Sequence, residues 1–325
     1  MQMKKSLCLA LALAMVLLLC GCQSKEAKNA DTLIASIGEV ALESEAAISE
    51  AENAVLLLTE KDKESLNNLS VLESARAQYD LLVRQEKASA VDELIRAIGE
   101  VDADSDDQVA KAREAYDALD ADEKTYVTEA DALLLAEESL KKAHVSRVQD
   151  LIDSLGEITL DSLEPINDIA NAVSELSEEE KLILNESGKF QVFVDATNQY
   201  WELLGSSLIH IDKIAVSSPD SAGGVMVYFN FTNRSEKTIK YITFGYSFYN
   251  SVGDLVRGRY DREDICYGKV TGPYEKGKGL QGTTYYWGKH YGTDLTSIKL
   301  AYLAIEYTDG STMVFTDKML EAAQK

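Results

Sequence analysis

Three glycines set the frame for more than half of this chain. When Gly38 of "SIGEV", Gly99 of "AIGEV" and Gly156 of "SLGEI" are placed over one another, the alignment runs on without a gap. It reaches Leu58, Leu119 and Leu176 twenty residues later, followed by "TEKDK", "DADEK" and "SEEEK". The copies lie 61 and 57 residues apart, and a period of that size means one supersecondary unit per copy. Before each glycine, Leu33/Ile34/Ile37, Leu94/Ile95/Ile98 and Leu151/Ile152/Leu155 recur at helical spacing, and the glycine suits a left-handed C-cap. After a short link, Ser44, Ser105 and Ser162 are expected to cap a second helix. The apolar stripe of that helix is Ile48/Val109/Ile166, Ala51/Ala112/Ile169, Val55/Tyr116/Val173 and the three leucines. Thr59, Asp120 and Ser177 stand three residues before Asp62, Glu123 and Glu180, the spacing of a capping box. A further helix is expected with Leu72, Leu133 and Phe190 in register.

The pattern is clearest in the second copy, "LIRAIGEVDADSDDQVAKAREAYDALDADEKTYVTEADALLLAEESL". It resembles the small helical repeats found in tandem on Gram-positive surface proteins, and that resemblance implies a spacer or interaction array without a catalytic residue. The first copy departs from it, with Glu52-Asn53-Ala54-Val55 in place of "AREAY"; the third ends in the aromatic "GKFQVFVDATNQYWELL", which fits packing against a following domain.

Inside the second copy, "VDADSDDQ" spaces its acids like the start of a calcium loop. A loop beginning at Asp102 needs Gly at its sixth position and Glu at its twelfth, where this chain has Asp107 and Arg113. The other copies carry Ala41 and Thr159 in place of Asp102, so the acids read as solvated residues favoured by a helix dipole. From Gln23 to Gly205 there are 16 Lys and Arg against 42 Asp and Glu, a net charge of −26; from Ser206 onward the net is +1. The two parts are therefore different modules, and the acidic one repels nucleic acid and anionic lipid.

The chain opens with Lys4 and Lys5, an apolar run from Leu7 to Leu19 too short to span a bilayer, and then Leu19-Cys20-Gly21-Cys22. This reads as an export signal. The last four residues resemble the lipobox of bacterial lipoproteins, which implies cleavage before Cys22, a diacylglycerol thioether on Cys22, and an anchor on the outer face of the cell membrane. Residues 1–21 are then the signal peptide and 22–30 a lipidated linker. Residues 31–88, 89–145 and 146–205 are the three helical repeats. Loss of the signal leaves Cys22 and a lone Cys266, which is read as a buried small residue between strands.

After Gly205 the helical period stops. Val225, Val227, Phe229 and Phe231 alternate, and further strands are expected in "SLIHIDKIAV", "TIKYITFGYSFYN", "DLVRGRY", "TTYYWG" and "SIKLAYLAIEY", with a hairpin through Asp309-Gly310. Seven or eight strands in residues 206–325 point to a sandwich. "FTNRSEKTIKYITFGYSFYNSVGD" resembles the immunoglobulin-like domains of unknown function that end many Gram-positive lipoproteins. The expected fold class is thus α + β and multidomain: three tandem helical repeats, then an all-β immunoglobulin-like sandwich.

"GKGLQG" fits G-x-G-x-x-G, but a strand-like segment follows it where a dinucleotide site needs a helix. His144, His210 and His290 lie far apart without companions at ligand spacing, so neither a metal nor another cofactor is expected, and no enzyme is implied. Twelve of the 16 tyrosines follow Gly205; Tyr274, Tyr285, Trp287 and Tyr291 are the candidate ligand-binding residues, suited to sugar rings or a protein partner. The sequence therefore points to a noncatalytic lipid-anchored protein whose sandwich binds a cell-wall glycan or a surface protein. The alternative is an assembly subunit that binds another surface protein through its repeats.

Overall fold

The structure is a computed structural model that describes residues 23–221, 224–257, 263–282, 284–287 and 295–325. Its described residues are helical from Lys25 to Leu208 and then form antiparallel sheets. The chain divides after Ala143 into two compact units.

The first unit opens with α1 (Lys25–Ser36), a 3-10 turn (Leu42–Ser44), α2 (Glu45–Leu56), the short α3 (Glu60–Lys63) and the long α4 (Leu69–Ile98). Helix α1 starts inside the segment read as a linker: the Ser24 hydroxyl accepts the Ala27 N–H, and Ala27 and Ala30 are fully buried against Leu58. Ile34, Ile37, Ile48, Ala51, Leu72 and Ala75 form one core. The second half of α4 contributes Val91, Ile95 and Ile98 to another, with Val109 and Ala112 of α5 (Asp106–Asp117) and Leu119 ahead of α6 (Ala121–Lys124). Leu133 and Ala136, from the start of α7 (Ala130–Asp153), complete it. Most of these are apolar positions of the sequence pattern, brought together by the 3.6-residue period; Ala27, Ala30, Ala75, Val91 and Ala136 join them from outside it.

In the second unit, Val145, Val148 and Ile152 of α7 pack with Ile169 of α8 (Leu163–Glu175), Leu176 and Leu184 of α9 (Glu178–Glu186). Phe190 does not join them and is 36% exposed. Helix α9 is nine residues long where α3 and α6 have four, so Leu184 fills the core and α10 (Lys189–Leu208) starts only one residue before Phe190.

Local signals fared unevenly. Thr59, Asp120 and Ser177 accept the N–H of Asp62, Glu123 and Glu180; Glu123 and Glu180 accept in return and complete the capping box, while the shorter Asp62 instead accepts the Thr59 hydroxyl. The hydroxyls of Ser44, Ser105 and Ser162 do not cap the helices that follow. Each accepts the N–H three residues back, from Ala41, Asp102 and Thr159, because its own N–H bonds the carbonyl of that same residue and closes a tight turn that holds the hydroxyl within reach. Gly38, Gly99 and Gly156 all have positive φ, but Gly99 has ψ −137°, a mirror-extended conformation beyond the left-handed helical region.

The first sheet places β1 (Ile209–Val216) beside β2 (Val225–Asn233), whose other edge is shared by β6 (Gly279–Leu280) and β7 (Thr284–Trp287). In the second, β3 (Ile239–Asn250) pairs along one edge with β8 (Leu295–Tyr307) and along the other with β4 (Leu255–Val256) and β5 (Cys266–Tyr274); β9 (Thr312–Val314) follows β8. The sheets share one core in which Phe229 of β2 stacks on Phe244 of β3 at 4.1 Å. Val225, Val227, Phe229 and Phe231 all face it, as their alternation required.

Cys266 is buried but starts strand β5 rather than lying between strands. The segment "CYGKVTGPY" is not among the strands expected from sequence; in it Gly268 makes room for the Phe244 ring, whose Cε atoms would stand 2.9 Å from an added Cβ. Pro273 lies on a strand paired only with β3 among the described residues, where a missing N–H costs no ladder bond. Helix α11 (Asp317–Ala323), which strand alternation did not foreshadow, is capped by Thr316 and buries Met319, Leu320 and Ala323 in the sheet core. Trp201, Leu204 and Leu208 of α10 pack on the same core.

Candidate binding surface

The register of β3 sorts its residues into two sets. Ile242, Phe244, Tyr246 and Phe248 face the core, so Tyr241, Thr243, Gly245, Ser247 and Tyr249 line the opposite face. Across the ladders, Gly245 stands opposite Tyr267 of β5 and Tyr302 of β8, Thr243 opposite Lys269, Ser247 opposite Lys299, and Tyr241 opposite Glu306. This outer face is therefore tyrosine and lysine laid over small residues.

Its geometry follows from Gly245. A Cβ there would sit 2.9 Å from Tyr267 Cε1 and 2.9 Å from Tyr302 Cβ, so the glycine lets the two tyrosines close over the sheet. Their rings meet edge to face with centroids 5.7 Å apart, and Tyr267 is 49% exposed. Lys269 places its ammonium 3.8 Å from the Tyr241 ring centroid, and Lys299 lies 4.8 Å from that of Tyr249. Lys240, 5.1 Å from the Tyr241 ring, donates to the Glu306 carboxylate at 2.7 Å, and that bond holds its ammonium above the usual lysine range. Such a surface offers ring faces to a sugar or an aliphatic chain, and hydroxyl and ammonium donors to oxygens.

The residues singled out from sequence fall elsewhere. Tyr274 is half-buried, its ring edge-on to Phe231 at 5.0 Å, and burial raises its hydroxyl pKa; it belongs to the border of the core rather than to an exposed patch. The backbone of Tyr285 and Trp287 stands opposite Val227 and Val225 in β7, and their side chains lie outside the described residues. Cys22 and Tyr291 lie outside them as well. Tyr241, Tyr249, Tyr267 and Tyr302 were missed because aromatic residues occupy both faces of "YITFGYSFY". The small residues Thr243, Gly245 and Ser247 between the outer tyrosines were the available signal.

The helical segments supply a different surface. Leu56 and Leu57 at the end of α2 are 72% and 86% exposed, and Leu134 and Leu135 on α7 are 54% and 68% exposed. Val173, Leu182, Leu184 and Phe190 line a hollow of about 300 Å³ beside Glu178 and Lys181. At the acidic stretch, Asp102 accepts from the Asp104 N–H and the Ser105 hydroxyl, closing a local turn, and Asp106 and Asp107 occupy the first turn of α5. No described helix is long and apolar enough to cross a membrane.

No protein family, curated protein or solved structure matches this chain.

Proposed function

We propose that this protein is a noncatalytic, membrane-anchored extracellular lipoprotein in which acidic helical repeats act as a spacer and the sheet domain, an immunoglobulin-like sandwich, is a binding or adhesion module for cell-wall glycan. The observation that carries the reading is the outer face of the second sheet, where Tyr241, Tyr249, Tyr267 and Tyr302 stand with Lys269 and Lys299 on three adjacent paired strands. Rigid tyrosines contribute contact area with little loss of side-chain freedom, and lysines add charge-assisted donors to sugar oxygens. The lipobox at Leu19–Cys22 supports the anchor. Recurring positive-φ glycines, capping boxes and core positions support the repeats, and two antiparallel sheets sharing one core support the sandwich.

The test is titration of the mature chain, made with Cys22→Ser to leave it unlipidated, against peptidoglycan and wall-glycan fragments. Saturable heat or chemical-shift changes are expected, weakened at least about tenfold in Tyr267→Ala and Tyr302→Ala, a loss typical of an aromatic contact centre. Flat titrations of the parent chain would overturn the glycan reading. The second reading, an assembly subunit binding another surface protein through its repeats, draws on the exposed leucine pairs Leu56/Leu57 and Leu134/Leu135. It predicts a captured partner that is lost when those leucines become Ser, with the tyrosine variants unaffected.

A further inference from the structure

The first two helical segments hold α2 to α4 and α5 to α7 with the same ion pair in opposite polarity. Fourteen residues after the frame glycine stand Glu52 and Arg113; thirty-eight after it stand Arg76 and Glu137. Arg76 grips Glu52 with two bonds of 2.7 Å, from Nε to Oε1 and from Nη2 to Oε2. Arg113 grips Glu137 through the same atoms at 2.5 and 2.7 Å. The neighbouring ring is exchanged too. Tyr79 lies under Arg76 at 5.5 Å and Tyr116 under Arg113 at 5.4 Å, so each tyrosine travels with its arginine to the opposite helix. The positions left behind are filled by Val55 and Leu140, both packed against the same cores as the tyrosines. This accounts for "ENAV" standing where the second segment has "REAY". In the third segment the two ion-pair positions are Ala170 and Val194, with no charge at either.

We infer that these opposed pairs code which helix closes on which, keeping the first two segments from exchanging helices within one chain or with a second copy. Exchange would set Glu52 and Val55 against Glu137 and Leu140, two like charges with little volume between them. It would also set Arg113 and Tyr116 against Arg76 and Tyr79, two guanidinium groups and two rings in the space of one each. Segments of one ancestral pattern share their apolar stripe, so apolar burial alone does not separate right from wrong pairings, whereas like charges in facing positions do. Anchored chains crowd at a membrane surface, where this matters most. The inference rests on reading the segments as copies of one unit and is independent of what the sheet domain binds.

The experiment reverses the second pair in the full mature chain, giving it the polarity of the first. Arg113→Glu and Glu137→Arg singly should each lower the Tm of the helical transition by roughly 2–5 °C, and the double variant should recover more than half of that loss, Asp117 beside Arg113 limiting full recovery. When diluted from denaturant at high protein concentration, the double variant should yield a several-fold larger fraction of exchanged dimer or misassembled chain than the parent, measured by light scattering after size exclusion. Single variants as stable as the parent, or no recovery in the double variant, would overturn the pairing itself. Recovery of stability with refolding as monomeric as the parent's would leave the ion pair real and overturn the coding, together with the reading of the segments as interchangeable copies.

Discussion

Gly205→Ala is a substitution on which two physical arguments disagree in sign. Gly205 lies within α10, and helix propensity alone favours alanine there by about 1 kcal/mol. Packing opposes it. A Cβ at this position would sit 2.5 Å from Met319 Cα and 2.8 Å from its carbonyl carbon, and closer still to its carbonyl oxygen. These are backbone atoms of α11, so no side-chain rotation relieves the overlap, and the helix itself must move by about an ångström to reach ordinary contact. Helix α11 is held by Met319 and Ala323, both fully buried, and by Leu320 at 6% exposure, so that movement opens the core beneath it. Overpacking of this kind costs about 1–3 kcal/mol, and more when backbone must shift. Loss of the docked helix would forfeit about 1.5–3 kcal/mol for each large side chain exposed. Set against the gain in propensity, the net expectation is destabilisation by roughly 1–3 kcal/mol, a fall in Tm of about 2–10 °C for a unit of this size. Thermal unfolding followed by the fluorescence of Trp201, which packs on the same core four residues away, reads it directly. Ser206→Ala, at a half-buried neighbour whose hydroxyl donates only to the Leu203 carbonyl of its own helix, supplies the control. A Gly205→Ala protein as stable as the parent, or more so, would refute the close approach of α10 and α11.

Two further perturbations test the polar framework. Asn233 is fully buried and spends both ends of its amide: Nδ2 donates to the carbonyls of Lys237 and Tyr274 at 2.8 and 2.9 Å, while Oδ1 accepts from the N–H and hydroxyl of Ser235. Asn233→Asp puts a carboxylate against two carbonyl oxygens. Its folded pKa is then raised above the unfolded value, so the variant should be nearly as stable as the parent below about pH 4 and lose about 2–4 kcal/mol as pH rises past that; urea midpoints at pH 3.5 and 7 check this, and equal losses at both would refute it. Asp92, 5% exposed, is pushed up by burial but more than compensated by the Thr128 hydroxyl and the N–H groups of Thr128 and Glu129, leaving its carboxyl below the usual range. Its contribution is therefore present at neutral pH and lost as pH falls through the unfolded and then the folded pKa, so Asp92→Asn should flatten the acid limb of the helical transition below about pH 4; a limb of unchanged slope would count against it.

How far the sequence carried depends on whether a signal was local. Most turn-scale chemistry was legible: the N-caps at Thr59, Asp120 and Ser177, the positive-φ glycines, most of the helical apolar stripes and the alternation of β2 depend on residues within one or two turns of one another and appear where the pattern put them, whereas Ser44, Ser105 and Ser162 turn their hydroxyls back to the preceding turn instead of capping. The Asp309-Gly310 hairpin appears as well, with Gly310 at φ +85°. Signals that need a partner distant in sequence were not legible. Asp92 and Asp31 cap the starts of α7 and α4 from another helix, and only their shared place seven residues before the frame glycine hinted at it. Strand β5 was hidden because its glycines have meaning only beside Phe244 and Pro273 only on an edge.

The candidate surface divides the same way. That tyrosines crowd the last 120 residues is a fact of composition; which of them face outward is a fact of register, and a one-residue slip in β3 would bury Tyr241, Tyr249 and the floor at Gly245. The sequence by itself determined the period, the helical content, the division of charge and the alternating strands, because each follows from local stereochemistry and from burial of regularly spaced apolar side chains. Only the tertiary structure decided which ion pair closes each of the first two helical segments, why Gly205 must lack a side chain, and which tyrosines and lysines form one face. Those outcomes depend on atoms brought together across the fold, where contact is set by packing rather than by distance along the chain.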